Sequence, residues 1–255
     1  MTIYQLHFAF TVGLDKSASF ATPEFSIQEI DHYINLGCEA FVKSRYSGNN
    51  IYQTGVDESQ KNIDEISFLI KNKTLPFISE GQWSNREKNI KTAIFKTPDD
   101  IWYTLSERVV GKRYPCPKYT NRINCGELEK IENPLEKHEA IVFKRSHNEI
   151  NLILNDPFNK PKKDRVLRLQ AEGHYEVFYD SIYWESVSEY YINYLAQFEK
   201  LQFGLNYNLT NWETLNFWFP INTHQQIVNY AIQFALESIE QPRQQSFINT
   251  LTKNE

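Results

Sequence analysis

The hydrophobic residues of this chain change their period twice, and that change restricts the available folds more than any other feature. Ile3, Leu6, Phe10 and Leu14 recur at three and four residues, whereas Ile101, Tyr103 and Leu105 alternate with Trp102, Thr104 and Ser106. Near the end, Ile227, Val228, Ala231, Ala235, Leu236 and Ile239 return to the longer period. Residues three or four apart share one side of a helix, and residues two apart share one side of a strand. The chain therefore reads as α+β, with helical ends around a central antiparallel β domain.

Punctuation residues sharpen the helical ends. Ser26-Ile27-Gln28-Glu29 has the spacing of a capping box, in which serine and glutamate satisfy the free amides of a helix start. Ile30, Tyr33, Ile34, Gly37, Phe41 and Val42 continue one stripe behind it, and Gly48-Asn49-Asn50 closes the helix. A third helix is expected from near Val56, carrying Ile63, Ile66, Phe68, Leu69 and Ile70 as its apolar set. Thr223-His224-Gln225-Gln226, after Pro220, has the spacing of a second capping box, and Pro242 ends the helix that follows.

In the middle, Ala140 to Phe143 and Ile150 to Leu154 flank His147-Asn148-Glu149, and Val166 to Leu169 and Tyr175 to Tyr179 flank a turn containing Gly173. Both read as β-hairpins. Val187 to Tyr194 supplies a further strand. The resulting division is a helical part over 1–75, a mainly β domain over 76–215, a helix over 216–241 that rejoins the helical part, and a C-terminal arm over 242–255.

Charge and motif content argue against chemistry. The formal net charge of -5 offers no general basic surface for phosphates. A sequence-reading nucleic-acid binder is disfavoured, although a mildly acidic wall suits a channel along which DNA slides. Aromatic residues make up 15% of the chain, more than a core requires, which favours contact surfaces. Cys38 sits in a helical stripe as a core thiol, and Cys116 and Cys125 lack the accompanying ligands of a zinc site. This usage fits a reducing compartment, and the opening residues do not read as a signal peptide. His7, His32, His138, His147, His174 and His224 are scattered and are expected to be structural. Asp99 and Asp100 followed by Glu127, Glu129 and Lys130 match a metal-dependent nuclease only loosely, because Leu128 stands where an acid is required. No glycine-rich phosphate cradle or nucleophile elbow occurs. No catalytic, cofactor-binding or metal-ligating residue is assigned, no cofactor is expected, and no apolar run is long enough to span a membrane. The basic clusters Lys112-Arg113-Tyr114 and Lys160 to Arg165 read as solvated loops or as docking points for an acidic partner.

The stretch from Ser26 to Tyr46, followed by Gly55 to Ile66, resembles the opening of virion proteins of crAss-like phages. Asn155-Asp156-Pro157-Phe158-Asn159-Lys160-Pro161, the Tyr191 to Leu195 strand and the Pro220 to Gln241 helix resemble the same group. The order of helices, β domain and returning helix is similar to tail tubular protein A and other head-to-tail adaptors of podoviruses. That resemblance implies a structural ring protein of the virion, made in the host cytoplasm and present in about twelve copies. It implies portal and other tail ring proteins as neighbours, and genomic DNA passing through without sequence recognition. Residues 73–101 have no counterpart on that plan and read as an insertion toward an adjacent tail protein. Tyr230 and Phe234, off the main stripe of the last helix, and Arg243, Phe247, Ile248 and Leu251 on the arm are the candidate oligomer or partner contacts. The competing readings are a tail-tip module binding a receptor or glycan, and a metal nuclease.

Overall fold

The computed structural model describes residues 1–18, 24–47, 60–82, 89–114, 119–124, 127–132, 134–203 and 213–238 of the 255-residue chain. It divides into two compact units, one formed by Met1–Leu69 with Phe198–Glu255 and the other by Ile70–Gln197.

The first unit is helical. α1 (Ile3–Ala18), α2 (Ile27–Ser47) and α5 (His224–Ser238) pack together, with the short α3 (Gln60–Ile66) beside α2. The stripes expected from the sequence are the buried faces: Ile3, Leu6, Phe10 and Leu14 on α1, Ile34, Phe41 and Val42 on α2, and Ile227, Val228, Ala231, Ala235 and Leu236 on α5. Each large apolar side chain so buried contributes about 1.5–3 kcal/mol. The capping box at α2 is present, since the Ser26 amide donates to Glu29 Oε2 at 2.7 Å and the Glu29 amide donates to Ser26 Oγ at 3.3 Å. Gly37 permits close packing here. A methyl at its Cα would lie 2.6 Å from the Ile227 carbonyl oxygen of α5.

Two buried polar clusters fix how these helices pair. Arg45 on α2 donates to Glu65 on α3 at 2.6 Å and to the Gln226 side chain on α5 at 2.7 Å, and its guanidinium lies 4.8 Å from the Phe41 ring. His7 on α1 lies 3.0 Å from Asp31 on α2, whose other oxygen accepts from the Phe203 amide. Buried ionic groups of this kind add little net stability against apolar substitutes, but they penalise any packing that separates the partners.

The second capping box does not form. Pro220 starts a 3-10 turn over Ile221–Thr223, so the Thr223 hydroxyl donates back to the Pro220 carbonyl at 2.8 Å, and Arg45 engages the Gln226 side chain. His224 instead anchors this end. Its Nε2 donates to the Phe219 carbonyl at 2.6 Å and its Nδ1 lies 2.9 Å from the Met1 nitrogen. Burial, opposed in part by the Phe219 bond and helped by the neighbouring amine, holds the imidazole pKa below its usual value.

The second unit is an eight-stranded sheet in the order β1-β10-β4-β7-β8-β9-β3-β2, comprising β1 (Ile70–Leu75), β2 (Phe77–Gln82), β3 (Ile90–Lys96), β4 (Ile101–Arg113), β7 (Glu136–Lys144), β8 (Arg165–Ala171), β9 (His174–Asp180) and β10 (Trp184–Ala196). The edge strands β1 and β2 are joined through Pro76 alone, so the sheet must curl until its two ends meet. Proline suits that corner because it interrupts the hydrogen-bonded ladder, and its carbonyl accepts from the Lys96 amide at 2.9 Å. Inside the curl lie Phe95, Val109, Val142, Val166, Tyr175, Val177, Tyr190, Ile192 and Tyr194, all buried. β5 (Tyr119–Asn124) and β6 (Glu127–Glu132) form a separate two-stranded sheet.

Three sequence expectations are corrected here. Ile70 leaves the helical stripe and starts β1, because backbone pairing from Ile70↔Leu195 to Leu75↔Tyr190 outweighs local helical spacing. Ile150 to Leu154 is no strand but part of α4 (His147–Asn155), where Ile150 and Leu154, one turn apart, are buried against Ile90, Leu167, Leu169 and Phe178. That helix carries the chain across so that β8 joins β7 in parallel, making a mixed sheet in which the remaining pairs are antiparallel. The 73–101 stretch, finally, is integral to the sheet, since most of it forms β1, β2 and β3. The β8–β9 hairpin forms as expected, turning at Gly173 with φ +71°.

Candidate assembly interface

Because side chains alternate along strands, the curled sheet has an outer face as well as an inner one. Over β8, β9 and β3 that outer face is apolar and α4 covers it. Among the described residues α4 is the one helix of this unit, and the outer face over β1, β10, β4 and β7 lies beyond the apolar cluster that it covers. There Asn72, Thr74, Ser106, Arg108, Tyr191 and Asn193 line a groove of about 460 Å³. Register explains why they converge: Asn72 and Ser106 flank Asn193, and Thr74 and Arg108 flank Tyr191.

The groove is internally ordered. Asn193 donates to Ser106 Oγ at 2.8 Å, the Arg108 guanidinium stacks 4.9 Å from the Tyr191 ring, and Arg108 also meets Glu139 at 3.2 Å. Tyr191 donates to Glu189 at 2.6 Å, which holds its hydroxyl pKa above the usual value. Beside the groove on β7, Ile141 is 66% exposed and Phe143 is also exposed, both facing outward next to buried Ala140 and Val142. Further exposed apolar groups sit on α4 and the loop after it, with Leu152 74% and Phe158 76% exposed. On the helical unit, Tyr4 and Phe8 form an exposed pair one turn apart on α1. Neighbouring exposed apolar pairs such as Ile141 with Phe143 and Tyr4 with Phe8 suit contact surface.

The interior of the curl holds a charged layer that the sequence did not reveal. Arg168 on β8 meets Glu107 on β4 at 2.9 Å with both side chains buried, and its guanidinium lies 4.1 Å from the Tyr175 ring. Burial pushes the Tyr175 and Tyr190 hydroxyls to higher pKa and the Lys144 amine to lower. Arg168, Glu107, Tyr175 and Tyr190 sit among core residues and favour one arrangement of the strands, whereas Lys144 is exposed.

The residues singled out for chemistry are bound to their neighbours. Asp100 accepts from Lys71 at 2.7 Å and from the Tyr194 hydroxyl at 2.9 Å, and the lysine is the main reason its carboxyl pKa falls. The hydroxyl of Tyr194 is pushed up to about 12 by burial and by that carboxylate. Arg113 and Asp164 join the two basic clusters through an ion pair, and Tyr114 is buried with its hydroxyl on Glu185 at 2.8 Å. Cys38 is buried, which raises its thiol pKa well above normal. Cys116 and Cys125, and the side chains of Glu127, Glu129 and Lys130, lie outside the described residues. Among the described residues no three histidine, cysteine or acidic side chains gather as a metal site, and no helix is long and apolar enough to cross a membrane.

Of the candidate contacts, Tyr230 and Phe234 lie half-buried on α5 beside its core stripe. Arg243, Phe247, Ile248 and Leu251 are outside the described residues, as is the expected helix start near Val56. Sequence reasoning missed the groove, although polar residues at alternate positions of apolar-backed strands carry its signal.

The family model for phage tail ring protein 3/4 matches residues 1–246, nearly the whole chain. The chain belongs to the crAss-like phage tail ring protein 3/4 family. It is accordingly a structural component of a phage tail and of the virion. No curated protein matches this ring protein.

Proposed function

We propose that this ring protein assembles as a closed ring of identical copies in the head-to-tail connector of a short-tailed phage, with the genome passing through its centre. Portal and other tail ring proteins are its neighbours above and below, and the ring holds about a dozen copies. The carrying observation is the exposure of ordered, apolar-flanked surface on both units, namely Ile141 and Phe143 beside the groove, Leu152 and Phe158 on the α4 side, and Tyr4 and Phe8 on α1. A monomer gains nothing from these groups, whereas a ring repeats one favourable contact at every junction. The net charge of -5 supports passage of DNA without retention. The division into a helical part and a β domain, a lateral role for Tyr230 and Phe234, and a neighbour-binding arm carrying Arg243, Phe247, Ile248 and Leu251 belong to the same proposal.

Electron microscopy and native mass spectrometry of the full chain, alone and mixed with portal and neighbouring tail proteins, test it. A single high-order cyclic species with a central opening is expected. A monomer that stays monomeric with every one of these partners overturns the proposal.

A further inference from the structure

The corner at Pro76 joins the two edge strands of the curled sheet, and on either side of it each strand has one open flank. β1 pairs with β10 and β2 with β3, and among the described residues neither pairs with another strand. In an antiparallel pair, alternate residues bond the neighbour and those between them turn their amides and carbonyls outward. Pro76 gives its carbonyl to the Lys96 amide at 2.9 Å, so Phe77, next in the strand and opposite Phe95, is one of the outward residues. Outward backbone groups of this kind are a template for a further strand.

The two edges are guarded differently. β1 presents exposed Lys71 and Lys73, side chains that keep other strands off an edge. β2 has no lysine, and its Phe77 and Ile78 are 49% and 54% exposed. Its one charged residue, Glu80, is turned back onto the sheet, where it accepts from the Tyr179 hydroxyl and pairs with Lys91 at 3.7 Å. A bulge interrupts the strand at Ile78 only, and Ser79 to Gln82 then run in regular register with Ile94 to Lys91. β2 is the apolar, unguarded edge.

The chain carries a segment that fits it. Ser246-Phe247-Ile248-Asn249-Thr250-Leu251-Thr252 has no charge, glycine or proline, is rich in strand-favouring Phe, Ile and Thr, and lies between Arg243 and Lys253. Short uncharged segments of this composition are the ones that add to open strand edges. As a strand it would put Phe247 and Leu251 on one side and Ile248 on the other. The link from Ser238, where α5 stops, to Phe247 spans up to about 30 Å when extended, the diameter of a small domain, and so reaches an adjoining copy.

We infer that the open edge of β2 takes an added strand from the arm of an adjoining copy, with Phe247, Ile248 and Leu251 beside Phe77 and Ile78. This rests on the ring reading and deepens it, because it says where the arm binds and makes main-chain bonding a link between copies.

A photo-crosslinker tests this without assuming a register. Benzoylphenylalanine is placed at Ile78, which is exposed enough to accept it. That chain is mixed in equal amounts with isotopically labelled unaltered chain and assembled with the neighbouring tail proteins. After illumination the adducts should join this position to Phe247–Thr252, about half of them in labelled chain, since identical copies mix at random. Hydrogen exchange across Phe77–Gln82 should be at least about tenfold slower in assemblies than in the dilute chain, and Phe247→Asp with Leu251→Asp should restore the fast rate. Adducts to unlabelled arms alone put the arm on its own sheet, and adducts to another segment or to a neighbouring protein give the edge a different occupant. Either result, assemblies without adducts, or equal exchange in assemblies and dilute chain overturns the inference while the ring reading stands. An unaltered chain that stays monomeric with all its neighbours defeats the ring reading, and the inference falls with it. If the altered chain does not assemble, the same group at Phe77, already aromatic, decides instead.

Discussion

Substituting Gly37 with alanine tests the packing of the helical unit most directly, because two opposing effects can be compared. In an exposed helix interior, glycine to alanine stabilises by about 1 kcal/mol. Here the added methyl would stand 2.6 Å from the Ile227 carbonyl oxygen, 3.1 Å from the Ala231 nitrogen and 3.3 Å from the Ala231 Cβ. The first two are backbone atoms of α5 and cannot rotate away, so α2 and α5 must separate by roughly half an ångström or more. That separation loosens buried Ile34, Phe41, Val42, Ile227 and Ala231 together. Overpacking of this sort costs about 1–3 kcal/mol, and because the strain falls on backbone the upper part of that range applies. After the propensity gain is subtracted, Gly37→Ala should destabilise the helical unit by about 1–2 kcal/mol. With a urea dependence of about 2 kcal/mol per molar, the middle of the usual range, the midpoint should drop by roughly 0.5–1 M at constant slope. Urea unfolding followed by helical circular dichroism measures it. An unchanged or raised midpoint would refute the close approach of α2 and α5, since propensity alone would then govern the site.

The buried cluster around Arg45 should respond asymmetrically. Arg45→Ala takes from buried Glu65 its 2.6 Å guanidinium partner, leaving the exposed Lys61 at 3.8 Å, and should cost about 3 kcal/mol, whereas Arg45→Met combined with Glu65→Leu should recover most of the loss in thermal or urea unfolding. Equal damage in both variants would show that the pair itself is the source of stability. His224, whose folded pKa is lowered, should add stability that is fully present above its unfolded value of about 6.5 and is lost as pH falls below it, because the unfolded chain takes up the proton first. His224→Gln should flatten that part of the pH–stability curve, and an identical slope in both proteins would remove His224 as its cause.

Particular elements show why some of this was legible in the sequence. The α1 stripe and the Ser26–Glu29 box could be read because each depends on residues within one or two turns, and local geometry fixes what they touch. The Thr223–Gln226 box has the same spacing, yet failed because Arg45, 181 positions away in sequence from Gln226, competes for the Gln226 side chain. Ile150, Leu152 and Leu154 satisfy the strand period, and Ile150 and Leu154 equally satisfy a helical turn. The apolar patch on β8, β9 and β3 decided between them. The candidate interface was the least legible part, since Asn72, Ser106 and Asn193 belong to three separate strands and acquire meaning only when register sets them side by side.

The sequence by itself determined the α+β alternation and the buried faces of the helices, because periodicity and local capping are written in neighbouring residues, and its resemblance to crAss-like phage virion proteins pointed to the family. Only the tertiary structure decided that Pro76 closes a curled sheet, that β7 and β8 run parallel around α4, and that residues of β1, β10 and β4 line one open groove. Those features depend on pairings between residues distant along the chain, and burial of a shared core selects among pairings that local sequence leaves nearly equal.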